Sequence, residues 1–281
     1  MSTASLQRAD IVSAWDREDN ASAYLRFCSE FGYYPTASAA LVAAARLVRG
    51  ECIGDLGCGT GVTSRAIVDR LGESAAVVAV DPAAAMLRLA QAAPWPVGVR
   101  FSLGDLMTLR QLAPVGGVDC IVCASAAWLV PSRSALLAEV VQALRPGGRL
   151  ALSIPSEFVG DSAHLLEESA QQFLRALAQL RSELALTPAA PSAESPDTFA
   201  IESWRADLAA AGLCRLELVT HPYRMSHAEW AAHLLLPAVL DGLLPHASPA
   251  AKAQFARRLR EQIDPTLQTS RPWTLLVAWK G

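Results

Sequence analysis

The sequence predicts an α/β protein: an open, mostly parallel β-sheet with helices packed on both faces. Three observations point there. Up to about residue 155, short apolar runs alternate with segments of helical periodicity. The runs are apolar almost throughout rather than at every second residue, as strands buried on both faces are. Gly and Pro stand at the boundaries between them. Strand alternating with helix is the pattern that builds a parallel sheet.

The elements follow in order. Residues 36–49 are rich in Ala and Leu and stop at Gly50, a good C-terminal signal. Residues 52–56 are a short apolar strand. A Gly-rich turn follows, then a helix over 61–71 that stops at Gly72. Residues 75–80 form a second strand, halted by Asp81-Pro82. Proline in a first helical turn suits a helix through about Ala92. Residues 97–103 and 118–123 are the third and fourth strands. Ser132 can cap a helix to Arg145, stopped by Pro146-Gly147-Gly148, and residues 149–154 are the fifth strand.

The pattern changes after Pro155. Residues 161–186 read as one helix, with Leu166, Ala170, Phe173, Leu177, Leu180 and Leu184 forming one apolar stripe. That stripe suits a substrate lid. It equally suits plain core packing or the interface of a homodimer. A linker with Pro188, Pro191 and Pro196 leads to a helix over 201–211. Residues 214–220 alternate as a sixth strand. Ser226 and Glu229 match a capping box, so a helix begins there, and Pro237 divides or bends it. Ser248-Pro249 opens a helix to about Ile263, and residues 273–279 are a final strand.

Composition narrows the function. The 281 residues fit one or two domains and can bury a large core without disulfides or metal. A net charge of -3 lacks the basic excess of a general nucleic-acid binder. A hydrophobic content of 52% argues against disorder. No apolar run reaches the roughly 18 residues of a membrane span, and the first residues lack the apolar core of a secretion signal. Six cysteines without framework spacing read as reduced thiols of a cytoplasmic protein.

The informative stretch is Asp55-Leu56-Gly57-Cys58-Gly59-Thr60-Gly61, between a strand and a helix. Glycines let the backbone turn sharply and approach a ligand closely. The helix that follows points free N–H groups at the same space. A dinucleotide fingerprint wants G-x-G-x-x-G. Here the third glycine would fall on Val62, and the observed spacing is G-x-G-x-G. Asp55 places a carboxylate at the strand end, a poor neighbour for a pyrophosphate and a good one for an ammonium group. Asp81 ends the second strand, where a carboxylate can accept from both hydroxyls of a ribose. Pro82 follows it, and Met86 can supply an apolar wall. Gly104-Asp105-Leu106 follows the third strand, with Asp105 able to accept from a purine amine and Leu106 able to lie on the ring. The ligand so drawn has an amino-acid end, a ribose and an adenine, as S-adenosylmethionine does.

At these residues the chain resembles the class I S-adenosylmethionine-dependent methyltransferases. DLGCGTG, VAVDPAAAML, GDL and LRPGGRLALSIP stand in that family's order and spacing over roughly 50–155. The resemblance implies a Rossmann-like, seven-stranded, mostly parallel sheet with helices on both faces and a helical cap. It implies a last strand running antiparallel and the cofactor at the carboxyl ends of the first strands. It places the methionyl part at Asp55–Gly61, the ribose at Asp81, the adenine at Asp105, and Cys123 and Ala124 beside them. It also implies a division of the chain: 1–49 is a helical segment over the cofactor, 50–155 the binding core, and 156–213 and 221–271 the cap. Residues 214–220 and 272–281 complete the sheet. The layout and the TLLVAWK strand resemble the small-molecule branch that includes quinone-biosynthesis methyltransferases.

The expected reaction is methyl transfer to an O, N or C nucleophile of a small organic acceptor. The alternative is a different reaction of the same cofactor, such as cyclisation of its own aminobutyryl chain with release of methylthioadenosine. Methyl transfer needs alignment above all, and a general base is optional. No acidic-Pro-Pro-Tyr motif follows the fourth strand, which argues against nucleic-acid and protein amines as acceptors. Candidate substrate residues are Trp128, Phe158, His164, Tyr24 and Tyr34, with Trp15 and Tyr33 as further aromatic neighbours. His164 reads as a base near the substrate or as a plain exposed residue. Cys120 and Cys123 lie three apart on a strand, so they face opposite sides and do not form a metal half-site. His221, His227 and His233 read as surface or packing residues, and no metal is expected.

Overall fold

The computed structural model describes residues 13–127, 130, 132–160, 166–186 and 200–281; the Leu106 side chain is outside the description. The strands are β1 (Cys52–Leu56), β2 (Ala76–Asp81), β3 (Val99–Leu103), β4 (Val118–Ala124), β5 (Leu144–Pro155), β6 (Leu213–His221) and β9 (Trp273–Lys280), in the spatial order β3-β2-β1-β4-β5-β9-β6. β1 to β5 pair in parallel, and β9 runs antiparallel to both neighbours. This is the seven-stranded Rossmann-like sheet expected from the sequence.

The two faces of the sheet carry separate cores. Ile53, Val77, Cys120, Ala151 and Trp273 point into one, and Val78, Ile121, Cys123, Leu152 and Leu276 into the other. Cys120 and Cys123 thus face opposite sides, as their spacing requires.

Helices α1 (Glu18–Glu30) and α2 (Tyr33–Ala44) precede the sheet. α2 starts earlier than the sequence suggests and ends before Arg46, whose φ of 53° interrupts the helix. The crossover helices are α3 (Val62–Leu71), α4 (Ala84–Gln91), α5 (Leu106–Leu112) and α6 (Arg133–Ala143). α5 was not foreseen, because its seven residues are too few for a clear periodicity. Ser132 caps α6 as expected, accepting from the Ala135 N–H. Pro146-Gly147-Gly148 lies within β5 rather than ahead of it.

The remaining helices are α7 (Glu168–Glu183), α8 (Ile201–Ala210), α9 (His227–Leu234), α10 (Pro237–Leu243) and α11 (Pro249–Gln262). Pro237 does divide its helix, standing at the start of α10. Only half of the capping box forms. Ser226 accepts from the Glu229 N–H at 3.1 Å. The Glu229 carboxylate instead accepts from the Tyr33 N–H and the Tyr223 hydroxyl, so a tertiary contact displaces the local one. A two-stranded ribbon, β7 (Arg224–Ser226) with β8 (Gln268–Ser270), was also unforeseen, since three-residue strands leave no pattern.

α7 and α9–α11 share one core with α1, α2 and the first face of the sheet. Phe173 and Trp230 stack at 4.1 Å with rings 7° apart. The buried Asn20 on α1 accepts from the Ala238 N–H at the start of α10. The N-terminal helices and the late insertion are therefore joined over the carboxyl ends of the strands. Among the described residues no helix is long and apolar enough to cross a membrane, and no cluster could hold a metal ion.

Candidate active site

The turn after β1 is shaped by left-handed backbone. Gly57 has φ 71°, and a Cβ there would lie 2.7 Å from the Ala126 Cβ. Gly61 has φ 87°, and a Cβ there would lie 2.8 Å from the Trp95 ring. Both positions demand glycine for shape as well as for conformation.

Asp81 closes the turn from the neighbouring strand. Its Oδ2 accepts from the Gly59 N–H at 2.7 Å and its Oδ1 from the Ala83 N–H at 2.8 Å. Each oxygen keeps lone pairs for further donors. Burial raises its pKa, and the two backbone bonds offset part of that. Asp55 lies beneath the turn rather than on the cavity wall. It is fully buried, its Oδ2 accepts from the Ser64 hydroxyl at 2.6 Å, and its Oδ1 has no partner among the described residues. Burial pushes this carboxyl up to about 7. Side chains alternate along the strand, so Leu56 and Asp55 point to opposite faces, and only Leu56 reaches the cavity wall.

A cavity of about 870 Å³ runs from this turn under the later helices. Leu56, Gly57, Gly59, Asp81, Pro82, Met86, Asp105, Cys123 and Ala124 line one end. Tyr24, Tyr34 and Phe158 also line it. Cys58, Thr60, Gly61 and Gly104 stand behind these residues, shaping the turns without forming the wall. Asp105 also caps α5, its Oδ1 accepting from the Met107 and Thr108 N–H groups. Leu106 opens the same helix. Trp128 and His164 lie outside the described residues.

Trp15 and Tyr33, the further aromatic neighbours, are also on the wall. The structure adds Leu174, Trp230, Leu234 and Val239, which with Leu177 form its apolar roof. The stripe on α7 signalled Leu177 without saying what it would cover. His233, read as a surface or packing residue, is on the cavity wall with its Nε2 2.9 Å from the Tyr34 hydroxyl. Burial, with a smaller push from Arg271, lowers it to about 3, so the ring is neutral at neutral pH. Arg271 precedes β9, where nothing in the sequence marks a site. Antiparallel pairing of Pro155 with Trp273 brings it beside Glu157, with which its Nη2 forms an ion pair. Its guanidinium lies 4.4 Å from the centre of the Trp230 ring.

S-adenosylmethionine fits this arrangement. Asp81 is on the wall with spare acceptor capacity for ligand hydroxyls, whereas Asp55 stays behind the turn and does not reach the cavity. The space at Gly57 admits backbone but no side chain.

Comparison with known proteins agrees. Residues 53–148 match the family model described as a methyltransferase domain. A trans-aconitate 2-methyltransferase from an Azoarcus species is 32% identical over 251 residues, covering 87% of this chain and 88% of that one. Another, from Methylobacterium nodulans, is 28% identical over 260 residues, covering 90% and 92%. The crystal structure of an S-adenosylmethionine-dependent methyltransferase from Thiobacillus denitrificans, in complex with S-adenosyl-L-homocysteine, shares the fold with a TM-score of 0.52 and 19% identity, covering 89% and 93%. These relatives lend the cyclisation alternative no support. The chain belongs to the class I S-adenosylmethionine-dependent methyltransferases.

Proposed function

We propose that the protein methylates a carboxylate oxygen of a small organic acid held between the glycine turn and the helices of 156–213 and 221–271. The observation that carries this reading is the continuity of one cavity, from Gly57 and Asp81 to Phe158, Trp230 and Arg271. Donor and acceptor would share it. Its volume falls in the usual range for small-molecule sites, about 300–1,000 Å³. The trans-aconitate 2-methyltransferases among its relatives favour an acid over a quinone precursor and make trans-aconitate the first acceptor to try.

In this reading Asp81 holds the ribose, the glycine turn at Gly57 and Gly59 takes the amino-acid end, and Asp105 and Met86 flank the adenine. When bound, the cofactor supplies an electrophilic methyl carbon on a positively charged sulfur. Trp15, Tyr24 and Tyr34 line the cavity, and an aromatic face turned to that charge attracts it. The apolar roof excludes water and holds the acceptor in line, an alignment that contributes about 7–11 kcal/mol in favourable cases. No base is required, because a carboxylic acid with a pKa of about 4 is already ionised at neutral pH. Six free cysteines fit a reducing cytoplasm as the place of work.

The test is calorimetry for donor binding, then mass spectrometry of reactions with trans-aconitate and other acids. A methyl ester with S-adenosylhomocysteine supports the reading. Methylthioadenosine as product, or no ester from any acid while the donor binds, ends it.

A further inference from the structure

The cavity wall is poor in positive charge, although relatives of this chain are named for methylating trans-aconitate, a tricarboxylate. Among the described residues Arg271 is its one cation, and Asp81, Asp105, Glu139 and Glu157 are also on the wall. Arg271 is 8% exposed and already paired with Glu157. His233 adds no charge, because it is neutral. Phe158, Leu174, Leu177 and Leu234 supply apolar wall, with the hydroxyls of Ser125, Ser132, Tyr33 and Tyr34 among the neutral polar groups of the lining residues.

Charge bookkeeping then selects the acceptor. A buried charge is tolerated only when it is paired. With Asp81 and Asp105 at the cofactor end and Glu139 paired to Arg110, the remaining charges are the Arg271 guanidinium, the Glu157 carboxylate, the donor sulfonium and one acceptor carboxylate, which sum to zero. A tricarboxylate in the same place leaves two negative charges uncompensated against an apolar roof. Glu157 pairs with the Arg271 Nη2, and the planar guanidinium carries further N–H donors beyond that nitrogen.

We infer that the acceptor is a monoanionic amphipathic acid, its carboxylate held by Arg271 and its apolar body lying against Phe158, Leu174, Leu177 and Leu234. This rests on the reading of the cavity as the acceptor site. One carboxylate oxygen takes a hydrogen bond from the guanidinium and the other attacks. The oxygen–methyl bond forms as the methyl–sulfur bond breaks, and the electron pair leaves on sulfur. No proton moves, and the local charge stays at zero, now with a neutral ester and a neutral thioether.

The experiment compares trans-2-octenoate and cinnamate with trans-aconitate at saturating donor. kcat/KM is expected to favour the monoacids by about tenfold or more. The charge-balanced double variant Arg271→Met/Glu157→Gln avoids stranding a buried carboxylate. It should bind the donor as the unaltered protein does and raise the monoacid KM about tenfold or more, the scale of one lost charge-assisted hydrogen bond. Arg271→Lys should recover part of that loss. Trans-aconitate as the preferred acceptor, or an unchanged monoacid KM in the double variant, overturns this inference while leaving acid methylation standing. Failure to methylate any acid overturns both.

Discussion

The Asp81 carboxylate accepts the Gly59 N–H at 2.7 Å, tying the end of β2 to the glycine turn that follows β1. One carboxylate therefore shapes the turn and lines the cavity beside it.

Replacing Asp81 removes both functions. Asp81→Ala is expected to weaken donor binding by about 1–3 kcal/mol, the loss of hydrogen bonds to a charged group. Titration calorimetry measures it. Unchanged affinity would show that this carboxylate does not meet the ribose.

Gly57→Ala combines a left-handed backbone with a Cβ 2.7 Å from Ala126. The expected cost is about 1–3 kcal/mol of stability from backbone strain alone. Donor affinity should fall as well. Denaturant midpoints and calorimetry on the same sample report the two effects, and an alanine tolerated in both would contradict the close approach.

Asp55 makes a pH prediction with a definite sign. Its carboxyl is pushed up to about 7 in the folded protein, against about 4 in an unfolded chain. Between those values the folded state holds a proton that the unfolded state has released. This group therefore makes stability fall as pH rises, by about 1.4 kcal/mol per pH unit. Asp55→Asn should remove that slope. The difference in unfolding free energy between variant and unaltered protein should grow from about pH 4 to about pH 7 and then level off; a constant difference would mean the carboxyl titrates normally.

His233 works in the opposite direction. Its pKa is lowered to about 3, so between there and about 6.5 the unfolded chain binds a proton that the folded one does not. Stability from this group is complete above about 6.5 and is lost as pH falls. An NMR titration should show no protonation of the ring from pH 8 to about 4. Tyr34→Phe removes its 2.9 Å partner and should cost about 1 kcal/mol. A ring that titrates near 6.5 would remove His233 from the buried wall.

The glycine-turn end of the cavity is legible in the sequence because its residues are local, but the burial of Asp55 behind that turn is not. Asp55 to Gly61 is one continuous strand end and turn, Asp81 ends β2, and Asp105 follows β3 by two residues, so the apolar runs reveal where each falls. The acceptor end was not legible. Tyr34 and His233 are 199 residues apart, and Arg271 and Glu157 are 114. Neither pair leaves a spacing that periodicity detects. Asp105 shows a subtler limit: its position was apparent, but its use as the cap of α5 was hidden while that short helix went unseen.

By itself, then, the order of residues determined the parallel sheet, the left-handed turn and the donor, since each arises from contacts within a strand–turn–helix unit. Tertiary structure alone decided what roofs the cavity and which charges face it. β9 runs antiparallel beside β5, and that pairing carries Arg271 to Glu157 and Trp230. Buried charges find their partners across the fold, where low dielectric makes pairing decisive, and a linear pattern holds no record of that choice.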